Sequence, residues 1–474
     1  MKAFELKLET SMNNKYKIVL ALAWALVCST AEISAQHTYS GYFTDGYLFR
    51  HEMNPAAGNE QSYVSMVGIG NVDFSVRGNL GLKHVLYNVN GKTTTFLNPA
   101  VSTDEFLSKI KDNNRIRTDL NLQLLGVGFK AFGGYNTIGL SARANVNLNV
   151  PGALLRLAKQ GIENKTYDIS DFRAHAEAYT ELAFGHSRDI NENLRVGAKL
   201  KILIGAGNVD AEFQKAQLAL GEDAWTAVTD AIVQASVKGL TYKTETKMRG
   251  AEGEKHPHTY VSDLDYDKFG LNGFGLAVDL GAEYKLDDDW RFSAALLDLG
   301  FIKWNNNMVA STNGEKTFTT DKYIFNVDDE AKNSFENEGD RLMNDLCYLY
   351  ELQNNGNEGG RARALGATFN VGAEYTLPVY RNLTFGLLNS TRLQGAYSWT
   401  QFRLSANVAP AKIFSAGMNL GVGSFGADFG WIINFHPNGF NLFLGMDHIL
   451  GSLSKQGIPL ASNSCLNIGM NFPF

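Results

Sequence analysis

The chain has 474 residues, with 43 Lys and Arg against 49 Asp and Glu, a formal charge of −6. With no basic tract, that balance excludes nucleic acid as an expected partner. Past the leading residues no run approaches ~20 apolar positions, which excludes a helical membrane span there; 47 Gly, 11% aromatic residues and only 9 Pro suit many alternating strands and no linker.

At the start, Lys15 and Lys17 precede an apolar run from Ile18 to Cys28, followed by Ser29-Thr30-Ala31 and Ser34-Ala35-Gln36. This order reads as a secretory signal peptide over residues 1–35. Met12 is an alternative start, and cleavage after Ala35 is favoured over Ala31. Val27 before Cys28 speaks against lipid attachment at that cysteine. Cys347 and Cys465 stand in unrelated contexts, and sequence alone supports no disulfide between them.

Residues 62–474 carry the strands, the first over 63–87. Ile138, Leu140, Ala142, Ala144, Val146, Leu148 and Val150 alternate with Gly139, Ser141, Arg143, Asn145, Asn147 and Asn149. Arg173, His175, Glu177 and Glu181 alternate with Ala174, Ala176, Ala178 and Leu182. The same period runs through 194–204, 274–284, 365–375 and 425–435. These runs are longer than the soluble average of about five or six residues. The apolar set would face lipid and the other set a polar interior.

Short connections at 133–136, 188–193, 285–289, 377–382, 410–412 and 437–439 alternate with longer ones at 88–115, 151–171, 207–271, 305–361, 393–398 and 451–464. A short connection near Gly423 breaks the trend. The parity predicts an all-β fold, a transmembrane antiparallel β-barrel of about 14 strands within a range of about 12–16. A hairpin over 208–237 would extend the wall or bring the count to about 16. The long loops carry short helices: one capped by Ser102 or Thr103 through Phe106 and Ile110, one over 152–159 behind Pro151, and one over 338–352 with Leu342, Leu346 and Leu349 at helical spacing.

Charged residues on inward phases are the candidate lumen groups. Arg173, His175, Glu177 and Glu181 would neighbour Arg195, Lys199 and Lys201 on the next strand, with Asp279, Glu283 and Glu374 elsewhere. A space-filling network of paired charges is the favoured reading, and a polar path or proton relay the sharper one. His256-Pro257-His258 lies near Glu252, Glu254, Asp263, Asp265 and Asp267, but Lys268 sits where a Ca²⁺ loop wants Gly. No metal site or cofactor is assigned. Gly421 to Gly426 matches G-x-G-x-x-G, yet a strand follows it rather than a helix, so it reads as a turn. No Ser pairs with His175 on its strand and His448, next to Asp447, points to the opposite face, so no catalytic residue is assigned and the chain is not read as an enzyme.

The last residues alternate as Leu466, Ile468, Met470, Phe472 and Phe474 against Cys465, Asn467, Gly469, Asn471 and Pro473. Asn467, Gly469, Phe472 and Phe474 fill the slots of the terminal sorting strand of outer-membrane barrels, which this segment resembles. Over most of its length the chain is similar to a family of outer-membrane proteins classed only as a domain of unknown function. That resemblance rests on 53–57 (Met-Asn-Pro-Ala-Ala), 196–201, 293–302, 403–408 and 443–447. More broadly, the element Asn54, Pro55 and Ala56 and the strand count look like long-chain fatty-acid transporter (FadL-like) barrels. The resemblance implies that residues 36–61 enter the lumen as a hatch. It implies a Gram-negative outer-membrane protein, surrounded by lipid and inserted by the barrel-assembly machinery, that binds or passes a small hydrophobic or amphipathic ligand. The alternative is a structural or interaction barrel partnered with a secretion or surface-assembly system.

Overall fold

The computed structural model describes residues 39–59, 61–161, 163–221, 224–249, 255–268, 270–326, 333–447 and 464–474. The expected signal segment 1–35, residues 36–38, Glu252, Glu254, His448 and nearly all of the connection 451–464 lie outside them.

Alternating sequence produces long strands that fold back through tight turns. Ala131 faces Gly134 across a two-residue turn in which Phe132 and Gly133 both take positive φ, 56° and 72°. Turns of that hand match the twist of the strands they join. The wall runs through Asn113–Ala131, Gly134–Pro151, Arg173–Asp189, Leu194–Leu220, Gly273–Lys285, Trp290–Trp304, Ala367–Thr376 and Leu383–Leu393. It continues through Trp399–Ala411, Phe414–Gly423, Gly426–Phe435, Asn441–Asp447 and Ser464–Pro473. Tyr63–Ser65 and Val72–Gly78 make the first strand, and here the wall closes. Val72 lies opposite Leu122 on one side and Ile468 on the other, and Tyr63 lies opposite Pro473. The result is a closed antiparallel barrel of 14 strands.

The first strand is more broken than the expected 63–87. It is interrupted at 66–71, where Gly68 turns at φ 76° and Met66, Val67 and Ile69 are exposed. It ends at Gly78; a helical turn, Leu82–Val85, and a small hairpin of Leu86–Val89 with Lys92–Thr95 follow.

Connections 132–133, 190–193, 286–289, 377–382, 412–413 and 436–440 are short and share one end of the barrel. The other end carries the long loops and one two-residue turn, 424–425, inside the Gly421 to Gly426 stretch. Leu194–Leu220 is 27 residues long, roughly 90 Å at strand spacing. Leu194 to Gly205 pair with Gly273–Lys285 in the wall, while Gly207 to Leu220 pair with Trp225–Val237. The hairpin therefore extends the wall past the barrel and leaves the count at 14.

All three loop helices form, the first ending at Leu107 short of Ile110 and the last running over Phe335–Tyr348 rather than 338–352. Ser102 accepts from Glu105 N at 3.3 Å to cap Thr103–Leu107, Gly152–Gln160 follows Pro151, and Ser334 caps Phe335–Tyr348. Leu342, Leu346 and Leu349 pack on Ala227 and Phe318 of the extended sheet and on Tyr323 just beyond it. In the nearby hairpin of Leu240–Arg249 with His256–Tyr266, His256 Nε2 meets Tyr348 Oη at 2.6 Å and His258 Nε2 meets Glu351 at 3.1 Å. Burial pushes the His258 imidazole below its usual pKa.

The two faces of the wall differ as the alternation demands. Phe274, Leu276, Val278 and Leu280 are exposed, while Gly275, Ala277 and Asp279 are buried. Each large apolar side chain left in water forfeits ~1.5–3 kcal/mol of burial, so this surface is built for lipid. Tyr284, Trp290, Phe292, Phe385, Phe435 and Phe472 add exposed aromatics toward the short-turn end, with Trp290 and Tyr375 rings 4.8 Å apart. Among the described residues no helix is long and apolar enough to cross a membrane.

Candidate functional site

The lumen is filled by the chain's own residues 39–59. Their apolar and aromatic side chains, Tyr42, Phe43, Tyr47, Leu48 and Phe49, form a core with Tyr63, Leu388, Ile432 and Phe443 of the wall. Asn54 Oδ1 accepts from Ala56 N at 3.0 Å and Asn54 O from Ala57 N at 2.9 Å, so Asn54, Pro55 and Ala56 make a tight turn. That turn sits on two glycines that face each other across neighbouring strands, Gly197 and Gly281. A Cβ on Gly281 would stand 2.1 Å from Asn54 Oδ1, and one on Gly197 would stand 2.2 Å from Pro55 O. Only glycine permits this approach of one backbone to another.

Polar groups around the wall grip the same segment. Asp447 accepts from Tyr39 N at 2.9 Å and from Ser40 Oγ, while Ser415 Oγ donates to Asp45 O at 2.6 Å. Tyr47 Oη donates to Asn467 at 3.0 Å, His51 Nε2 meets Tyr63 Oη at 2.9 Å, and Asn370 donates to Met53 O at 2.9 Å. Glu52 is 2.8 Å from Lys199 and 3.4 Å from Arg143.

The deepest charges form a cluster at mid-lumen. Lys201 Nζ lies 2.7 Å from Asp279, 2.6 Å from Asp298 and 3.9 Å from Glu181, and Arg143 lies 3.1 Å from Glu181. Asp298 reaches the lumen through a bulge. It takes φ 58°, Leu297 and Asp298 together oppose Asp279, and its N–H donates to Asp279 at 2.7 Å.

The expected neighbourhood of Arg173, His175, Glu177 and Glu181 with Arg195, Lys199 and Lys201 is only partly found. A register shift between Ala178 and Tyr179 sets Asp210 opposite His175 and Glu212 opposite Arg173, so His175 pairs with an acid further up the next strand while Arg173 only faces one across the ladder. His175 Nδ1 is 2.7 Å from Asp210, and its ring stacks on Tyr397 at 5.9 Å. Glu177 accepts from Asn145 at 2.6 Å. Only Glu181 meets Lys201. Arg195 lies near the short turns, 3.6 Å from Asp189. Glu283 is 3.7 Å from Arg50 of the lumen segment, and Glu374 is 3.5 Å from Arg291. Asn467 is buried toward the lumen, Gly469 packs under Gly70 O and Phe443, and Phe472 and Phe474 are exposed on the outer face.

Several central residues escaped selection: Glu52, Arg77, Arg143, Asp210, Asp298, Arg392 and Arg403. Asp298 had a readable signal, because a carboxylate on the lipid phase of a strand must be turned inward by a bulge. At the long-loop end, Arg117 donates to Gln394 at 2.8 Å and Arg363 to Asp210 at 2.7 Å, drawing the loop 394–398 and the segment Arg361–Ala364 over the lumen. Two cavities of about 20 Å³ each lie beside the mid-lumen cluster, lined by Arg143, Asp298 and Arg392 among others. That is room for about one or two waters apiece. Cys347 and Cys465 are both buried and form no disulfide with each other, and among the described residues no group of His, Cys, Asp and Glu is arranged to hold a metal.

The chain matches a family of unknown function, DUF5723, over residues 55–447. No curated protein matches it. Among solved structures it is similar to the Ralstonia pickettii toluene transporter TbuX, at 8% identity and a TM-score of 0.41 over 89% of this chain and 92% of that one. A Pseudomonas aeruginosa FadL homologue gives 10% identity and 0.41 over 94% and 98%. The P. putida toluene transporter TodX gives 8% and 0.39 over 93% and 95%.

Proposed function

The chain belongs to the DUF5723 family of unknown function, and from a lumen filled by its own amino-terminal segment we propose a gated outer-membrane barrel that passes a small amphipathic ligand when that segment moves. The supporting observation is the seat of Asn54, Pro55 and Ala56 on Gly197 and Gly281. A wall shaped to receive one turn of chain without covalent attachment suits a hatch that leaves and returns. The apolar lining comes largely from the segment itself, whereas the wall offers Arg143, Lys201, Asp279 and Asn370. That division favours an amphipathic ligand over a hydrocarbon. On this reading the protein is exported, inserted by the barrel-assembly machinery and resident in the outer membrane of a Gram-negative bacterium.

Planar-bilayer recording tests the hatch. Wild type should hold conductance near baseline. Gly281→Leu, whose side chain collides with Asn54 and Pro55, should raise it while keeping the gel shift on boiling that marks a folded barrel. Liposomes should take up a small amphipathic dye, and a cysteine pair locking the segment to the wall should stop the uptake. Folded protein with no flux in either wild type or Gly281→Leu would sink the proposal. A second reading, a structural or interaction barrel of a secretion or surface-assembly system, draws on the ordered sheet and helix that rise from the long-loop end. Its mark would be a partner that co-purifies stably, with no flux.

A further inference from the structure

Arg77 is fully buried in the lumen, and none of its three guanidinium nitrogens has a hydrogen-bond partner. Its carbon centre lies 5.2 Å from the Trp399 ring and 5.5 Å from the Tyr39 ring, so aromatic faces hold it while its N–H edges point at no acceptor. A guanidinium carries five donors, and leaving them dry is costly. Other buried polar atoms around it also lack partners. Trp399 Nε1, Ser75 Oγ on the same face of the same strand, and Arg403 Nε are buried without partners.

The surrounding carboxylates take hydrogen bonds from other groups, although Asp73, Asp119 and Asp447 also attract the Arg77 charge. Asp119 takes two 2.5 Å bonds from Arg117, Asp428 accepts from Gln401 and Arg403, and Asp447 is held by Tyr39 and Ser40. Asp73 Oδ1 accepts from the Cys465 thiol.

We propose that Arg77, Trp399 Nε1 and Ser75 Oγ form an oxyanion-binding site under the leading end of the amino-terminal segment, for a ligand bearing a carboxylate, sulfate or phosphate. A planar guanidinium receives such a group through two parallel N–H···O bonds. The Tyr39 ring lies 5.5 Å from Arg77 and 5.6 Å from Arg403. Withdrawal of Tyr39 would leave two guanidinium groups facing the same space. Access thus rests on the mobile segment proposed above, whereas binding requires no passage through the barrel.

The test uses purified full-length protein in a non-ionic detergent at fixed ionic strength. The probes are sodium sulfate, decanoate, and decyltrimethylammonium as the cationic control. Sulfate or decanoate should raise the midpoint of the heat-induced gel shift, increasingly with concentration, and should change tryptophan emission. The cationic control should do neither. Response to sulfate identifies a free oxyanion as sufficient, and response to decanoate alone identifies the headgroup of an amphiphile. Arg77→Gln should lose the response and Arg77→Lys should keep part of it. If Arg77→Gln does not give a folded barrel, Trp399→Phe, which keeps the ring and removes the N–H, should weaken the midpoint response. No oxyanion response in wild type, or an equal one in Arg77→Gln or Trp399→Phe, overturns the site. Loss of all flux with this response intact would remove the channel reading and leave the site standing.

Discussion

Remove the ammonium of Lys201 and two buried carboxylates, Asp279 and Asp298, are left facing one another without their shared cation. Breaking a buried pair from one side costs about 3–5 kcal/mol, because the remaining charge keeps its desolvation penalty. Lys201→Met should therefore lower the heat-modifiability midpoint sharply, and Lys201→Arg much less. An unchanged midpoint would mean that water, not lysine, neutralises the acids. Lys201 and Asp279 could be chosen from sequence because each is a charge on an inward phase. Asp298 could not be chosen by phase alone, since Leu297 and Asp298 share one opposite residue and the count of two slips there. Gly197 and Gly281 were equally hidden. As letters they are two of many glycines, and only the register that sets them side by side makes them a seat.

Strands carry their own instruction about which face meets lipid, and this makes a sharp comparison within one sheet. Val278 is exposed outside and Asn145 is buried inside. Val278→Arg should cost about 2–4 kcal/mol near the bilayer midplane. Asn145→Ala removes the bond to Glu177 and should cost nearer ~1 kcal/mol. Urea unfolding in lipid vesicles measures both, and equal costs would sink this assignment of the faces. Elements with local signals were legible: Ser102, Pro151 and the leucines at 342, 346 and 349 each mark a helix through neighbours a few residues away. The extended sheet was not. Trp225–Val237 pairs with Met308–Ser311 and Lys316–Thr319, some seventy to ninety residues on, and alternation alone does not say which strand is adjacent. The break at 66–71 was likewise masked by a continuous apolar-looking run.

For the whole molecule the decisive contact joins the two ends of the described wall. Tyr63 lies opposite Pro473, Val64 opposite Phe472, and Phe474 N donates to Ser62 O at 2.8 Å. Closure removes both sheet edges at once, and it was legible because parity of strands and an aromatic last strand both demand it. The two terminal aromatics then have separable roles. Phe474 is 77% exposed and touches little of the folded barrel, so its ring adds little to folded stability. Phe474→Ala should leave the unfolding midpoint of the refolded barrel almost unchanged, within ~0.5 kcal/mol as for other surface changes. If the ring is what the assembly machinery recognises, the same variant should lower the amount of heat-modifiable protein in the outer-membrane fraction of cells. Loss of both stability and insertion would make the ring a packing element of the closing seam. Retention of both would leave Phe472 and Phe474 as lipid-interface anchors, with recognition residing elsewhere in the strand.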